Sequence, residues 1–517
     1  MKLSELIKEI PVRRITGGEL PEVSSIHYRA QEVKPGGVFV AIPGTVSDGH
    51  AFIDTAVSRG AAAVISQHPV RSRVPVAVVD DSRKALSAAA AAFYGHPSRK
   101  LCVVGITGTN GKTTTTYLIE SILKAAGHSV GVIGTVNYRF LGKTFPNPVT
   151  TPESSDLQKI LSDMAAGGVT HVVLEVSSHA IELHRVDDCR MDVGVFTNLT
   201  QDHLDFHGSM DRYWESKRRL FTVYLPQKKE ASAVVNTDDA RGKILASELK
   251  IPVFRYGKNI DNEIRETGGR QNLNGVSATV ETPSGSFAAR SPLVGAHNIQ
   301  NILAATGAGV ALGVELPAIR RGIENVAAVP GRLERMADSL GRFVFVDYAH
   351  TPDALENVLT ALRAVSRGSV ICIFGCGGDR DKAKRPKMGE IVGRLADLAI
   401  ITSDNPRTEA PLDIIEQTRI GVVRSSPIAF DPAQLKAGFQ GKGHLIEPDR
   451  EKAIRLGIFA SSPGDSVLIA GKGHETYQVI GKQAFPFDDR IQAAKALEEL
   501  RNVQCRTPYV QGLRKGD

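Results

Sequence analysis

The residues best suited to chemistry lie in one short loop. An apolar run, LCVVGIT, leads into Gly105-Ile106-Thr107-Gly108-Thr109-Asn110-Gly111-Lys112-Thr113-Thr114. A helix is expected from Lys112 to Ala126. Glycines at 105, 108 and 111 let backbone N–H groups face an oxyanion without interference from a Cβ. The helix start adds partial positive charge. Lys112 can reach a terminal phosphate, and the Thr113 hydroxyl can reach Mg²⁺. The usual phosphate-loop spacing needs a glycine five residues before Gly111, where Ile106 stands. The loop is therefore a variant, closest to G-x-x-G-x-x-G-K-T. A strand before it and a helix after it argue against a bland Gly-rich turn.

Three further clusters lie downstream. LEVSSH at Leu174–His179 puts Glu175 at the end of an apolar strand, where a carboxylate is costly unless it is paired or binds a metal. Hard oxygens suit Mg²⁺. The bland alternative is an acid paired with a helix cap. Residues 198–217, NLTQDHLDFHGSMDRYWESK, hold Asp202, His203, Asp205 and His207, then Lys217 on a helix. Alone, that cluster reads as a surface turn or a weak zinc site, and Lys217 as a solvated lysine. AHNIQN supplies His297, Asn298 and Asn301, and PGRLERM supplies Arg332, placed to clamp a phosphate.

Past residue 330 the loops VDYAHTPDA, GCGGDRDKAKRP, SDNPRTE and AGKGHETY each follow an apolar strand. Arg380 and Arg407 can each hold a carboxylate bidentately, and Glu475 can pair with an ammonium. Asp404 and Asn405 are expected to open a helix through Pro406. Any one such loop could be a charged surface turn; four on one sheet edge is a different matter, because parallel sheets bind ligands beyond their carboxyl ends.

Such residues need a scaffold, and the sequence implies an α/β one. Residues 1–99 read as a smaller N-terminal unit, with strands at Val38–Gly44 and Ala61–Ser66 and helices at Ala51–Arg59 and Ser82–Tyr94. Residues 100–329 alternate strand and helix, implying a central, mostly parallel sheet of phosphate-loop type. Polar alternation from Ile260 to Arg290 suggests hairpins, and His297–Gly309 a helix. Residues 330–503 read as a C-terminal Rossmann-like α/β unit, and 504–517 as a frayed tail.

Bulk properties fit this outline. The 517 residues exceed one hydrophobic core, and about three domains is the natural expectation. Apolar content of 42% and charged content of 23% are those of a soluble globular protein. No long apolar run spans a membrane, and MKLSELIKEI is not a secretion signal. Five scattered cysteines without zinc spacing suit a reduced cytoplasm. Net charge of +7 suits anionic substrates. Dispersed basic residues and 6% aromatics give no stacking platform, so nucleic acid is not expected.

Together these motifs resemble the Mur ligases, and within them the branch that adds the third residue of the peptidoglycan stem peptide. GTNGKTT, LEVSSH, DHLDFHG, AHNIQN, PGRLE, DYAHTPD, GCGGDRDKAKRP, SDNPRTE and GKGHE occur in the family's order, from about Ser24 to Arg490. The resemblance implies three domains, for a UDP-linked substrate, ATP and an incoming amino acid. It implies that Gly108, Thr109, Asn110, Gly111, Lys112, Thr113 and Thr114 bind ATP with Asn298, Arg332 and Asp347. Lys112, Glu175, His203 and Lys217 would be catalytic. Thr113, Glu175, His203 and Lys217 would serve Mg²⁺, the last as an N6-carboxylysine carbamate.

UDP-MurNAc-L-Ala-D-Glu would lie against Tyr28, Ala30, Thr45, Val46, Ser47, Thr150, Thr151, Ser177 and Arg185. The amino acid implied is meso-2,6-diaminopimelate, held by Arg380, Asp404, Asn405, Pro406, Arg407, Gly471 and Glu475. Its distal carboxylate, which lysine lacks, would pair with Arg407. A cytoplasmic monomer that meets no nucleic acid or membrane is implied. The chain departs from some members at Arg29-Ala30-Gln31, where they carry Asp-Ser-Arg, and at Leu183, where they carry Gln. Position 30 thereby loses a hydroxyl that could touch uracil. The alternatives are a lysine-adding Mur ligase, a folylpolyglutamate synthase-like ligase and a non-catalytic nucleotide-binding scaffold.

Overall fold

The computed structural model describes residues 1–44, 47–437 and 439–506. The chain forms two compact units. One comprises Met1–Thr267, Thr279–Ala288 and Gln300–Asn325; the other comprises Gly268–Ala278, Ala289–Ile299 and Val326–Asp517.

The first unit contains two distinct sheets. In the N-terminal one, Ser25–His27, Gly37–Val40, Ala63–Ser66 and Val76–Val79 run parallel in that order. Val12–Thr16 closes the edge antiparallel to Val76–Val79. The Ala-rich helix Ser82–Phe93 starts where the Asp81 carboxylate accepts from the backbone N–H groups of Arg83 and Lys84. Its Ala85, Leu86, Ala89 and Ala92 pack onto one face of that sheet. Small side chains let the helix lie close.

The larger sheet of this unit places the phosphate loop. The strand Cys102–Thr107 lies between His171–Glu175 and Val193–Phe196, all parallel. Val130–Ile133 flanks one side; Ser232–Asn236 and Val253–Gly257 extend the other, also parallel. The chain crosses from one side of the loop strand to the other between His171–Glu175 and Val193–Phe196, which makes a switch point beside the loop. Val103, Val104 and Ile106 are fully buried, as a strand covered on both faces requires. The expected hairpins are the strands Ile264–Asn272, Gly275–Thr282 and Gly285–Ser291.

In the second unit, Phe343–Asp347, Ser466–Ala470, Val370–Phe374, Leu398–Ile401 and Gly443–Ile446 lie parallel in that order. Alternate residues enter different cores. Phe345, Cys372, Phe374 and Leu468 face one side, and Val344, Val346, Ile371, Ile373 and Ile469 the other. The register aligns Asp347 with Ala470, and Phe374 with Ile401. All four expected loops therefore leave the same edge.

Two expectations change here. Pro406 opens no helix: the helix is Pro411–Val422, preceded by Ala410. The last helix, Asp489–Arg506, runs past residue 504, and the rest of the expected tail lies outside the described residues. Segments Gly268–Ala278 and Ala289–Ile299 pack with the second unit although they precede residue 330. Leu273 and Val294 are buried in its core.

Candidate active site

The phosphate loop is built by close approach. Gly108 has φ of 149° and Gly111 of 85°, where a side chain would be strained. A Cβ at Gly108 would collide with the Thr197 hydroxyl, and one at Gly111 with Asn301 Oδ1. The next strand's exit buttresses the loop. Asn110 N donates to Asn198 Oδ1 at 2.9 Å, and Thr197 Oγ1 donates to Asn110 O at 2.6 Å. Thr109 Oγ1 meets Tyr213 Oη at 3.1 Å and accepts from Thr200 N at 3.0 Å. Lys112 Nζ folds back onto the Gly108 and Thr109 carbonyl oxygens, 2.9 Å from each. An arriving phosphate would compete with those carbonyls for the ammonium. Thr114 is buried in the first turn.

Glu175 is 1% exposed. Its Oε2 accepts from Thr113 Oγ1 at 3.1 Å and Thr135 Oγ1 at 2.8 Å, and its Oε1 from Thr135 N at 3.1 Å. Among the described residues no basic side chain pairs with it. A buried carboxylate served only by neutral donors beside a phosphate loop is chemically suited to a hard cation. Thr113 Oγ1 and Glu175 Oε2 fit Mg²⁺ as oxygen donors.

Lys217 overturns the solvated-lysine expectation. It sits on the helix Met210–Arg219, is 1% exposed, and donates to Gly108 O at 2.8 Å. Its Nζ lies 4.5 Å from the Tyr213 ring centre. Burial, then the nearby Lys112 charge, push its pKa well below 10.5. An ammonium does not fit a cation site; a neutral amine or its carbamate does. His203 has φ of 53°, is 46% exposed at its side chain and pairs with Asp202 at 3.3 Å. Its ring lies against that of His179, which burial holds down at about 4.

The residues expected to hold the UDP-linked substrate form a linked set in the first unit. Thr151 Oγ1 donates to Glu175 O at 2.7 Å and accepts from Ser177 N at 3.1 Å. Thr150 Oγ1 meets Thr135 Oγ1 at 3.1 Å. Arg185 Nη1 donates to Thr151 O at 3.0 Å. Tyr28 Oη donates to Asp156 Oδ2 at 2.8 Å. Ala30 is 2% exposed and points into the core, so its side chain is not available to a ligand. Ser47 is exposed; Thr45 and Val46 lie outside the described residues.

In the second unit, Asp347 is buried, accepts from Leu333 N and Ala349 N at 2.6 and 2.7 Å, and has its pKa raised by burial. The Arg332 guanidinium lies 4.7 Å from the Tyr348 ring centre. Asn298 Nδ2 donates to Val294 O at 2.8 Å.

The strand-end loops of this unit converge. Asn405 Nδ2 donates to Glu475 Oε2 at 3.1 Å, and Gly471 lies against Asp404. Asp404 Oδ1 is buried without a hydrogen-bond partner. Arg407 is half-buried with Nη1 donating to Gly378 O at 2.8 Å; among the described residues no carboxylate pairs with it. A buried carboxylate and, in the same loop, a guanidinium that no carboxylate pairs suit a zwitterion. Pro406 is buried behind Gly378. Arg380 is exposed and donates to its neighbour's carbonyl, Asp379 O. Three residues not singled out from the sequence also meet these loops: Lys472, fully buried between Asn405 and Glu475, and the ion pair Arg385–Glu409, whose Arg385 Nη2 donates to Gly377 O at 3.2 Å. Lys472 stands inside GKGHE, which was the available signal.

Three family descriptions match the chain: "Mur ligase family, catalytic domain" at 22–94, "Mur ligase middle domain" at 106–309 and "Mur ligase, glutamate ligase domain" at 331–473. The chain belongs to the Mur ligase family, ATP-dependent ligases that form C–N bonds. Among its relatives is the protein named UDP-N-acetylmuramoyl-L-alanyl-D-glutamate--2,6-diaminopimelate ligase from Geobacter metallireducens. It is 49% identical over 508 residues, 97% of this chain and 99% of its own. The protein so named from Geobacillus thermodenitrificans is 41% identical over 505 residues, 97% of this chain and all of its own. A solved structure with that name has a TM-score of 0.68 at 31% identity, covering 98% of this chain and 100% of that one. A Mycobacterium tuberculosis folylpolyglutamate synthase shares the fold, with a TM-score of 0.60 at 17% identity over 75% of this chain and 92% of its own.

Proposed function

We propose that this chain joins meso-2,6-diaminopimelate to the D-glutamate γ-carboxylate of UDP-MurNAc-L-Ala-D-Glu, with ATP converted to ADP and phosphate. The observation that carries this reading is Arg407, half-buried with carbonyl hydrogen-bond partners and no paired carboxylate among the described residues, in the same loop as the buried Asp404. A distal carboxylate and ammonium on one carbon answer both groups. Lysine would leave Arg407 unmatched, and a folylpolyglutamate synthase-like ligase would have no use for the pairing.

In the first step a γ-carboxylate oxygen attacks the γ-phosphorus of ATP, the bond to ADP breaks, and an acyl phosphate forms. The amine of diaminopimelate then attacks the acyl carbon; the C–N bond forms, phosphate leaves, and the amine loses a proton. Two anions must approach, so the work is chiefly electrostatic. Lys112 shifts from its carbonyl partners to the phosphates, and the loop amides at 108–114 with the helix start hold them. Bound Mg²⁺ would supply charge neutralisation there. Thr113 and Glu175 would hold it, with His203 and a carbamylated Lys217 at a second position. The neutral Lys217 amine adds to CO₂, releasing a proton and leaving an anionic oxygen donor. Asn298, Arg332 and Asp347 would contact the nucleotide.

Residues 1–99 would serve the uridine end through Tyr28 and the segment 45–47, with Ala30 contributing backbone only. Residues 100–329 would serve ATP, and 330–503 the amino acid. No helix among the described residues is long and apolar enough to cross a membrane. ATP and a UDP-linked substrate imply work in the cytoplasm, and a monomer suffices. Omitting one reactant at a time tests the reaction. Phosphate should appear in quantity only with ATP, the UDP-linked dipeptide and diaminopimelate together, with a tripeptide product by mass. Equal phosphate release without the dipeptide would sink the reading.

A further inference from the structure

Among the described residues, Lys472 is the one fully buried cation at the converging loops whose carboxylate partners are also expected substrate ligands. It is 0% exposed. Its Nζ donates to Glu475 Oε2 at 2.9 Å and Asn405 Oδ1 at 3.1 Å, and lies 3.6 Å from Asp404 Oδ1. Asn405 in turn donates to Glu475, so one ammonium and one amide fix the same carboxylate. Asn405 Oδ1 also accepts from Val479 N at 2.9 Å, which ties the assembly to the strand Tyr477–Ile480. The neighbouring charges, Arg450 and Asp489, form their own bidentate pair, both fully buried.

We propose that Lys472 is a specificity-determining positioning residue that sets the charge of the amino-acid pocket. Two carboxylates, Asp404 and Glu475, face one ammonium, which leaves a single negative charge to be met. Arg407, in the same loop as Asp404, adds a single positive charge. The pocket is thereby matched to a distal group bearing one ammonium and one carboxylate, with no net charge. A lysine tail brings an ammonium but no carboxylate and meets a pocket already balanced by Arg407. Without Lys472 the pocket would carry an excess negative charge, and the cationic tail would become the better match. Lys472 need not touch the substrate: it acts through the orientation of Glu475 and Asn405 and through its field. Burial makes that field strong, because little water screens it.

The inference rests on the diaminopimelate reading above, so wild-type turnover is measured first. An inactive wild type with diaminopimelate would defeat that reading itself. With an active wild type, kcat/KM is measured for diaminopimelate and for lysine in Lys472→Met. The ratio should fall at least about tenfold, with KM for ATP within about twofold. A purely structural role would lower both amino acids equally and leave the ratio unchanged, which would overturn the inference alone. The double variant Lys472→Met/Glu475→Gln removes one charge of each sign and should restore most of the ratio. A double variant no better than the single one would overturn it too. Should that single variant fail to fold, Lys472→Gln takes its place: a ratio at least about tenfold below wild type supports the inference, and an unchanged one defeats it.

Discussion

Arg407 occupies backbone space that arginine rarely visits, with φ of 51°. Such a conformation costs on the order of 1–2 kcal/mol and persists only when the surroundings enforce it. Here Arg407 N donates to Val479 O at 3.1 Å, and Gly481 N donates to Arg407 O at 2.7 Å. The side chain is thus aimed by its neighbours. In Arg407→Ala, kcat/KM for diaminopimelate should fall by about 10² or more, with KM for ATP unchanged. An equal loss for lysine would contradict the pairing. Lys217 gives a pH test. Its pKa is depressed, so the folded state binds a proton less readily than the unfolded chain, whose lysine titrates near 10.5. Stability from this group therefore rises with pH up to that value. In CO₂-free buffer, the Tm of wild type relative to Lys217→Met should climb between about pH 7 and 10. A flat difference would contradict the burial argument. Residue types were largely legible in the sequence. The burial of Lys217 was not, because it depends on a helix packing across the loop strand's far end.

At the scale of elements, strands that run apolar into a polar cluster were readable, and so was the shared edge of their loops. Short strands such as Val12–Thr16, Ser25–His27 and Gly443–Ile446 were not, since their register is set by partners distant in sequence. Pro406 misled for a physical reason: a proline can open a helix, yet here the helix waits for Pro411. Arg450 ties a strand end to a helix start: its Nη2 donates to Ala470 O at 2.9 Å while Nε and Nη2 grip Asp489, the first residue of the last helix. Arg450→Met strands a buried carboxylate and should cost about 3–5 kcal/mol, read by denaturant unfolding. Adding Asp489→Leu should recover much of that loss. If the double variant were as unstable as the single one, the ion pair would not be the cause.

At the scale of the molecule, three domains were expected from length and composition; the chain forms two compact units, and the first of them holds the separate N-terminal sheet. Hairpin segments near 268–299 pack with a core formed mostly after residue 326, a long-range choice that no local pattern announces. The order of motifs, by contrast, was legible because most of them follow a strand; PGRLE, which comes after the helix Leu316–Glu324, is an exception. If the chain works alone, sedimentation should give the mass of one chain, with or without ATP; a concentration-dependent dimer would contradict this. The most direct test is a competition. Wild-type protein is given ATP, the UDP-linked dipeptide and equal diaminopimelate and lysine, and the products are separated by mass. The diaminopimelate adduct should exceed the lysine adduct by about 10² or more. Comparable amounts of the two adducts would contradict the role given to Arg407.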